Sequence, residues 1–195
     1  MPALPSIWLR VCGVRLLAPA VVGLLALVSA PAPALPDEPG TTEFARLGPI
    51  VLHGSEADHL SLGAGVFDFR RDSAAAAGTV EYRFGRKLFM IGPALGVMAT
   101  TDGSLFGYAS VYADLSYGNL YLTPQAGLGA YREGDGPDLG GTFQFRLSAD
   151  LAFRSENGHR LGVRFAHISN AYIHDINPGE EELLLIFSFP LGPLL

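Results

Sequence analysis

The chain has 195 residues and a single cysteine, Cys12. Nothing after it can form a disulfide, so whatever folds downstream is held by packing and hydrogen bonds alone. A membrane helix is missing too. The one long apolar stretch, Leu16 to Val28, is interrupted by Pro19 and falls short of the roughly 20 apolar residues a helical span requires. Basic charge is scarce, with 13 Lys and Arg against 19 Asp and Glu and a formal charge of −6. Such an acidic chain is poorly suited to nucleic acid, and no nucleic-acid partner is expected. Also absent is any sustained helical period; alternation recurs in its place.

The apolar stretch belongs to a leader. Arg10 and Arg15 precede it without an accompanying acid, and it ends in Ser29-Ala30-Pro31-Ala32-Pro33-Ala34. A basic start, a short apolar core and a small-residue end describe a secretory signal peptide over residues 1–34. Cleavage fits after Ala30 or Ala34, and better after Ala34. Cys12 lies ahead of the apolar run, so it is not placed for lipid attachment at the cleavage site. Removing the leader takes the formal charge from −6 to −8. Residues 35–58, rich in proline, glycine and acids, read as an N-terminal lead-in with a short strand around Ile50-Val51-Leu52. Residues 59–195 make one folded domain.

The clearest alternation runs from Thr142 to Phe153. Phe143, Phe145, Leu147, Ala149, Leu151 and Phe153 share one face, and Thr142, Gln144, Arg146, Ser148, Asp150 and Ala152 share the other. Strands of globular proteins usually run about five or six residues, whereas this segment has the length of a strand that crosses a bilayer. Further strands are expected near 60–69, 77–86, 88–99, 104–116, 119–131, 159–170 and 181–190, giving eight. Pro93 and Pro124 fall inside two of them and are each expected to mark a bulge. Short turns at Gly85–Lys87, Tyr117–Asn119 and Ser155–Gly158 alternate with mostly longer connections at Arg70–Gly78, Thr100–Ser104, Arg132–Gly141 and Ala171–Glu180. Short inner turns and longer outer loops are the layout of a membrane barrel. The expected fold class is therefore all-β, an eight-stranded antiparallel transmembrane β-barrel in a bacterial outer membrane. Glu81, Arg83, Arg146, Asp150 and Arg164 are expected to fill its lumen as a polar network, without a pore.

Two strands carry chemistry on the wrong face. His167 and Ser169 share the face of Leu161, Val163 and Phe165, which should look out to lipid. Glu181 shares the face of Leu183, Leu185, Phe187 and Phe189. A hairpin symmetric about His174 would set Glu181 opposite His167. Ionisable groups at membrane depth are costly and are functional candidates by default. A serine hydroxyl needs an imidazole to take its proton, and the imidazole needs a carboxylate to orient it. Asn170 could offer its amide to a developing oxyanion. The alternative is that these residues merely solvate the rim among lipid headgroups.

His167-Ile168-Ser169-Asn170-Ala171, followed by Asn177-Pro178-Gly179 and an acid shortly after, resembles the PagL-type lipid A 3-O-deacylase family, most strongly over residues 160–190. The resemblance implies a serine–histidine–glutamate triad on the outside of an eight-stranded barrel. Its histidine falls on His167, its serine on Ser169 and its glutamate on Glu181. Its motif asparagines, expected to support the oxyanion, fall on Asn170 and Asn177. The implied substrate is lipopolysaccharide, whose lipid A loses the ester-linked acyl chain at its 3-position without a metal or other cofactor. A possible homodimer is implied as well. Tyr172 stands where the family often has glycine, and Glu180 and Glu182 flank the matched acid. Two other readings stand beside this one. The first is a non-catalytic barrel for adhesion or membrane stability. The second is a phospholipase or esterase using the same triad.

Other polar residues read as structural. Glu133, Asp135 and Asp138 form an acidic outer loop that lacks the ligand spacing of a known calcium loop. His174 and Asp175 could form a second acid–base pair, but in a loop. His53, His59 and His159 have no clustered partners and are expected at the surface or in turns.

Overall fold

The computed structural model describes residues 41–70 and 74–191, with the backbone of a small ladder at 10–11 and 14–15. The leader expected over residues 1–34 otherwise lies outside the described residues. Two short strands, β1 (Glu43–Leu47) and β2 (Ile50–His53), form a hairpin. There follow β3 (Asp58–Phe67), β4 (Ala75–Arg83), β5 (Gly92–Thr100), β6 (Leu105–Tyr112), β7 (Leu115–Tyr117), β8 (Leu120–Arg132), β9 (Phe143–Arg154), β10 (Arg160–Ser169) and β11 (Glu180–Leu191). No helix occurs among the described residues.

Eight of these strands close into a ring. Each of β3, β4, β5, β6, β8, β9, β10 and β11 pairs antiparallel with the next, and β11 returns to β3. Closure leaves the ring no exposed edge, which lets every backbone group be satisfied where no water is available. The alternation sorts the side chains. Along β9, Leu147, Leu151 and Phe153 are 58%, 46% and 62% exposed, while Gln144, Arg146, Ser148 and Asp150 on the other parity are buried. The other ring strands repeat this with outward Leu62, Val80, Leu95, Val111, Leu128, Leu161 and Leu185. A continuous apolar exterior of this extent is foreign to soluble monomers and normal for transmembrane barrels.

The lumen is filled in layers. Toward the loop end, Phe67, Met98, Phe106, Tyr131, Leu139 and Ile168 pack together. At mid-height, Arg164 donates to Asp150 Oδ1 at 2.7 Å and to Glu81 Oε1 at 2.8 Å, and Arg83 bridges the same two acids. Arg146 donates to Glu182 at 2.7 Å. Toward the turn end, Arg160 and Lys87 both pair with Glu56 and Asp114. Charged groups buried in a narrow barrel are costly unless paired, and here each of these acids meets at least one guanidinium or ammonium across the lumen.

Three sequence expectations are corrected here. Pro93 and Pro124 do not mark bulges, because the registers run through both without a shift. Pro93 is the second residue of β5, and Pro124 lies opposite Ala113-Asp114, where the chain breaks between β6 and β7. A missing N–H costs little at either place. The strand expected from residue 88 begins at Gly92, since Leu88 and Ile91 close a tight reversal with Phe89 at φ 57°. His53 and His59 are not at the surface. The β1–β2 hairpin attaches to β7 and folds His53 against the barrel, where its Nε2 meets Ser116 Oγ at 2.7 Å and its ring stacks on Tyr121. His59 is 1% exposed, with Nδ1 3.0 Å from the carbonyl of Ala57. His159 stays half-buried and stacks on Phe187.

Candidate active site

The site forms where β10 ends and β11 begins, at the loop end of the barrel. Pairing runs from Arg160↔Ser188 up to Ile168↔Glu180 and sets His167 directly opposite Glu181. Both side chains lie on the outward face. Below them on that face sit Phe165 and Leu183, also a cross-strand pair and each nearly half exposed. The flanking acids turn inward. Glu180 is 1% exposed, and the fully buried Glu182 binds Arg146. Strand parity thus leaves Glu181 as the one acid of the three on the histidine's side.

His167 Nδ1 lies 3.5 Å from Glu181 Oε1, with the two side chains 34% and 15% exposed. A proton on Nδ1 facing the carboxylate leaves the Nε2 lone pair turned the other way. Ser169 is half-buried, two residues further along the same face. Gly179 shows how closely these groups gather. A Cβ at Gly179 would sit 2.8 Å from His167 Cε1, 3.3 Å from His167 Nε2 and 3.8 Å from Ser169 Cβ. The Nε2 edge and the serine therefore surround one point, and the backbone there, at φ 65°, is of the kind glycine adopts freely.

The loop after Ser169 is braced from within. Asn170 is fully buried and donates its Nδ2 to the carbonyls of Leu139 and Ile176, both at 2.7 Å. Its backbone N–H donates to Asn177 Oδ1 at 2.9 Å. The Asn170 amide, expected at an oxyanion, is thus spent tying the β8–β9 loop to the β10–β11 loop. Being next to Ser169 in an extended strand end, it points to the opposite face. Ala171 and Tyr172 follow in the left-handed region, at φ 52° and 62°. That conformation explains why glycine would be at ease where this chain has Tyr172.

One neighbour was not visible in the sequence. Arg70, on the β3–β4 loop, donates Nη1 to Glu181 Oε1 at 3.3 Å, on the same oxygen that faces the imidazole. Only the β3–β11 register brings it there, so no local motif announces it. His174 packs over Gly141 on the β8–β9 loop. In the acidic loop, Asp138 caps the Gly140 N–H and the Asp135 N–H donates to the Asp102 carbonyl. Among the described residues no group of three or more His, Cys, Asp or Glu could hold a metal ion.

Fold and site together define a closed eight-stranded barrel of the outer-membrane type, with a hydroxyl, an imidazole and a carboxylate gathered on its apolar exterior. The family model described as lipid A 3-O-deacylase (PagL) matches residues 67–190, well over half the chain, and the protein belongs to that family. Among solved structures it is similar to the one titled "Crystal structure of the outer membrane enzyme PagL", at 17% identity and a TM-score of 0.54. That match covers 68% of this chain and 99% of the other, and its likeness is one of fold. No curated protein gives a match.

Proposed function

We propose that the protein is a serine hydrolase of the bacterial outer membrane that removes the ester-linked 3-position acyl chain from lipid A. The observation that carries this reading is the outward cluster itself. His167 faces Glu181 across the strands at 3.5 Å, and the Nε2 edge of its ring and the Ser169 Cβ both border the backbone of Gly179, 3.3 and 3.8 Å from where a Cβ there would sit. Nothing in barrel packing asks for three such groups on a face otherwise built of Leu, Val and Phe. Family membership supplies the substrate class.

In this mechanism Ser169 Oγ attacks the ester carbonyl while His167 Nε2 takes the hydroxyl proton. Glu181 orients the ring and stabilises its charged form. The tetrahedral intermediate collapses to an acyl-serine as His167 returns the proton to the departing sugar hydroxyl. Water then attacks the acyl-serine carbonyl as His167 takes its proton, the bond to Ser169 Oγ breaks as His167 returns that proton to the serine oxygen, and the fatty acid leaves. Asn170 supports the oxyanion side by fixing the loop. Asn177 accepts the Asn170 N–H at its Oδ1, and its amide is the side-chain donor assigned to the developing charge. The outward placement lets a lipid ester reach the serine from the outer leaflet without entering the barrel.

The test is mass spectrometry of lipid A after incubating lipopolysaccharide with the refolded protein, beside Ser169→Ala. Loss of one 3-linked hydroxyacyl chain with the parent alone is expected. Equal loss with both, or with neither while the barrel is folded, overturns the reading.

A further inference from the structure

We infer that Arg70 is a positioning residue for this reaction, holding the Glu181 carboxylate from the side opposite His167. The inference rests on the triad proposed above and extends it across a second pair of strands. A carboxylate on a lipid-facing rim is costly without a counter-charge. Strand β11 has two neighbours: β10 supplies His167, and β3 leads into the loop that carries Arg70.

The chain leading up to Arg70 is tied down at each of its last three residues. Phe67 pairs with Glu182, and the Asp68 N–H donates to the Glu181 carbonyl at 2.8 Å. Asp68 then turns through the left-handed region at φ 54°. The next residue, Phe69, crosses the outer face to meet Phe165 of β10 edge-on, with ring centroids 6.4 Å apart. The loop thus lies over the exterior of β11, and Arg70 comes to Glu181 from above. Its guanidinium is 59% exposed, yet it donates to Oε1 rather than reaching only for solvent. Held at one oxygen between guanidinium and imidazole, the carboxylate keeps the rotamer that serves His167. Released from Arg70, it can turn toward water and headgroups.

The test measures steady-state hydrolysis of lipopolysaccharide in detergent by the parent, Arg70→Gln, Arg70→Lys, Glu181→Gln and the double variant. An exposed ion pair contributes up to about 1 kcal/mol, so Arg70→Gln should lower kcat up to about fivefold with KM unchanged. Arg70→Lys should recover most of that loss. In the Glu181→Gln background, Arg70→Gln should change kcat no further, because its only route to the chemistry has gone. A raised KM at unchanged kcat would overturn the inference and make Arg70 a contact to the anionic substrate. An equal fall in both backgrounds would overturn it too, and so would an unchanged kcat in a protein that Glu181→Gln disables. A Glu181→Gln variant as active as the parent would instead strike the triad itself. Circular dichroism of each variant verifies that the barrel has formed.

Discussion

The two faces of this barrel treat charge in opposite ways. Inside, Glu81, Arg83, Asp150 and Arg164 are buried and bind one another, so their charges are matched where water is excluded. Outside, the strands present Leu, Val and Phe almost without interruption, and His167, Ser169 and Glu181 break that surface at the rim. The inner groups hold the wall in shape. The outer groups remain partly open to whatever lies against the wall. The same strand, β10, carries both kinds: Arg164 faces in and His167 faces out, three residues apart. Side-chain parity is all that separates a structural charge from one proposed for chemistry here.

Substitutions on the two faces should therefore fail in different ways. The largest effect belongs to the exterior. Ser169→Ala should lower kcat by about 10⁴- to 10⁶-fold in a lipid A hydrolysis assay, with unfolding shifted by no more than about 0.5 kcal/mol. Next comes the interior. Arg164→Met removes one partner from a buried network and should cost about 3–5 kcal/mol in urea unfolding from lipid vesicles. Activity per folded molecule should stay near the parent's. Loss of activity in the folded Arg164→Met barrel would blur the distinction between the faces.

Gly179→Ala tests the exterior more finely. Its methyl group would sit 2.8 Å from the His167 ring, so the imidazole must move. Single-turnover hydrolysis should slow by about 10²-fold while the barrel stays intact, since small misplacements of a catalytic group are expensive. The smallest effect is expected at Tyr172, a bulky residue at φ 62°. Tyr172→Gly should raise stability by about 1 kcal/mol in the same unfolding experiment, by relieving backbone strain.

Most of the barrel was legible in the sequence because its physics is local. Alternation from Phe143 to Phe153 reports a two-faced strand wherever that strand sits, and eight such segments with alternating turn lengths leave few other folds. The hairpin centred near His174 was legible for the same reason, since β10 and β11 are consecutive and their register follows from one loop. What escaped depends on distant pairing. The burial of His53 comes from a hairpin that attaches to β7, some sixty residues away, and that of His59 from facing the lumen of the closed ring, and no local pattern reports either. Arg70 reaches Glu181 only because the first ring strand closes on the last. Asn170 was named from a motif, but its side chain points inward to two loop carbonyls, a role that needs the third partner, Leu139, to be seen. Pro93 and Pro124 read as bulges because proline is awkward in a ladder. The structure removes the conflict by placing one at a strand start and the other across from a break.

The central claim is that a reactive serine sits on the lipid-facing outside of the barrel. Intact-mass and peptide mass spectrometry of the detergent-folded protein, treated with a long-chain fluorophosphonate, tests it most directly. A single adduct on Ser169, abolished by His167→Ala, is the expected result. A folded protein that takes up no adduct, or takes it up on another residue, would contradict it.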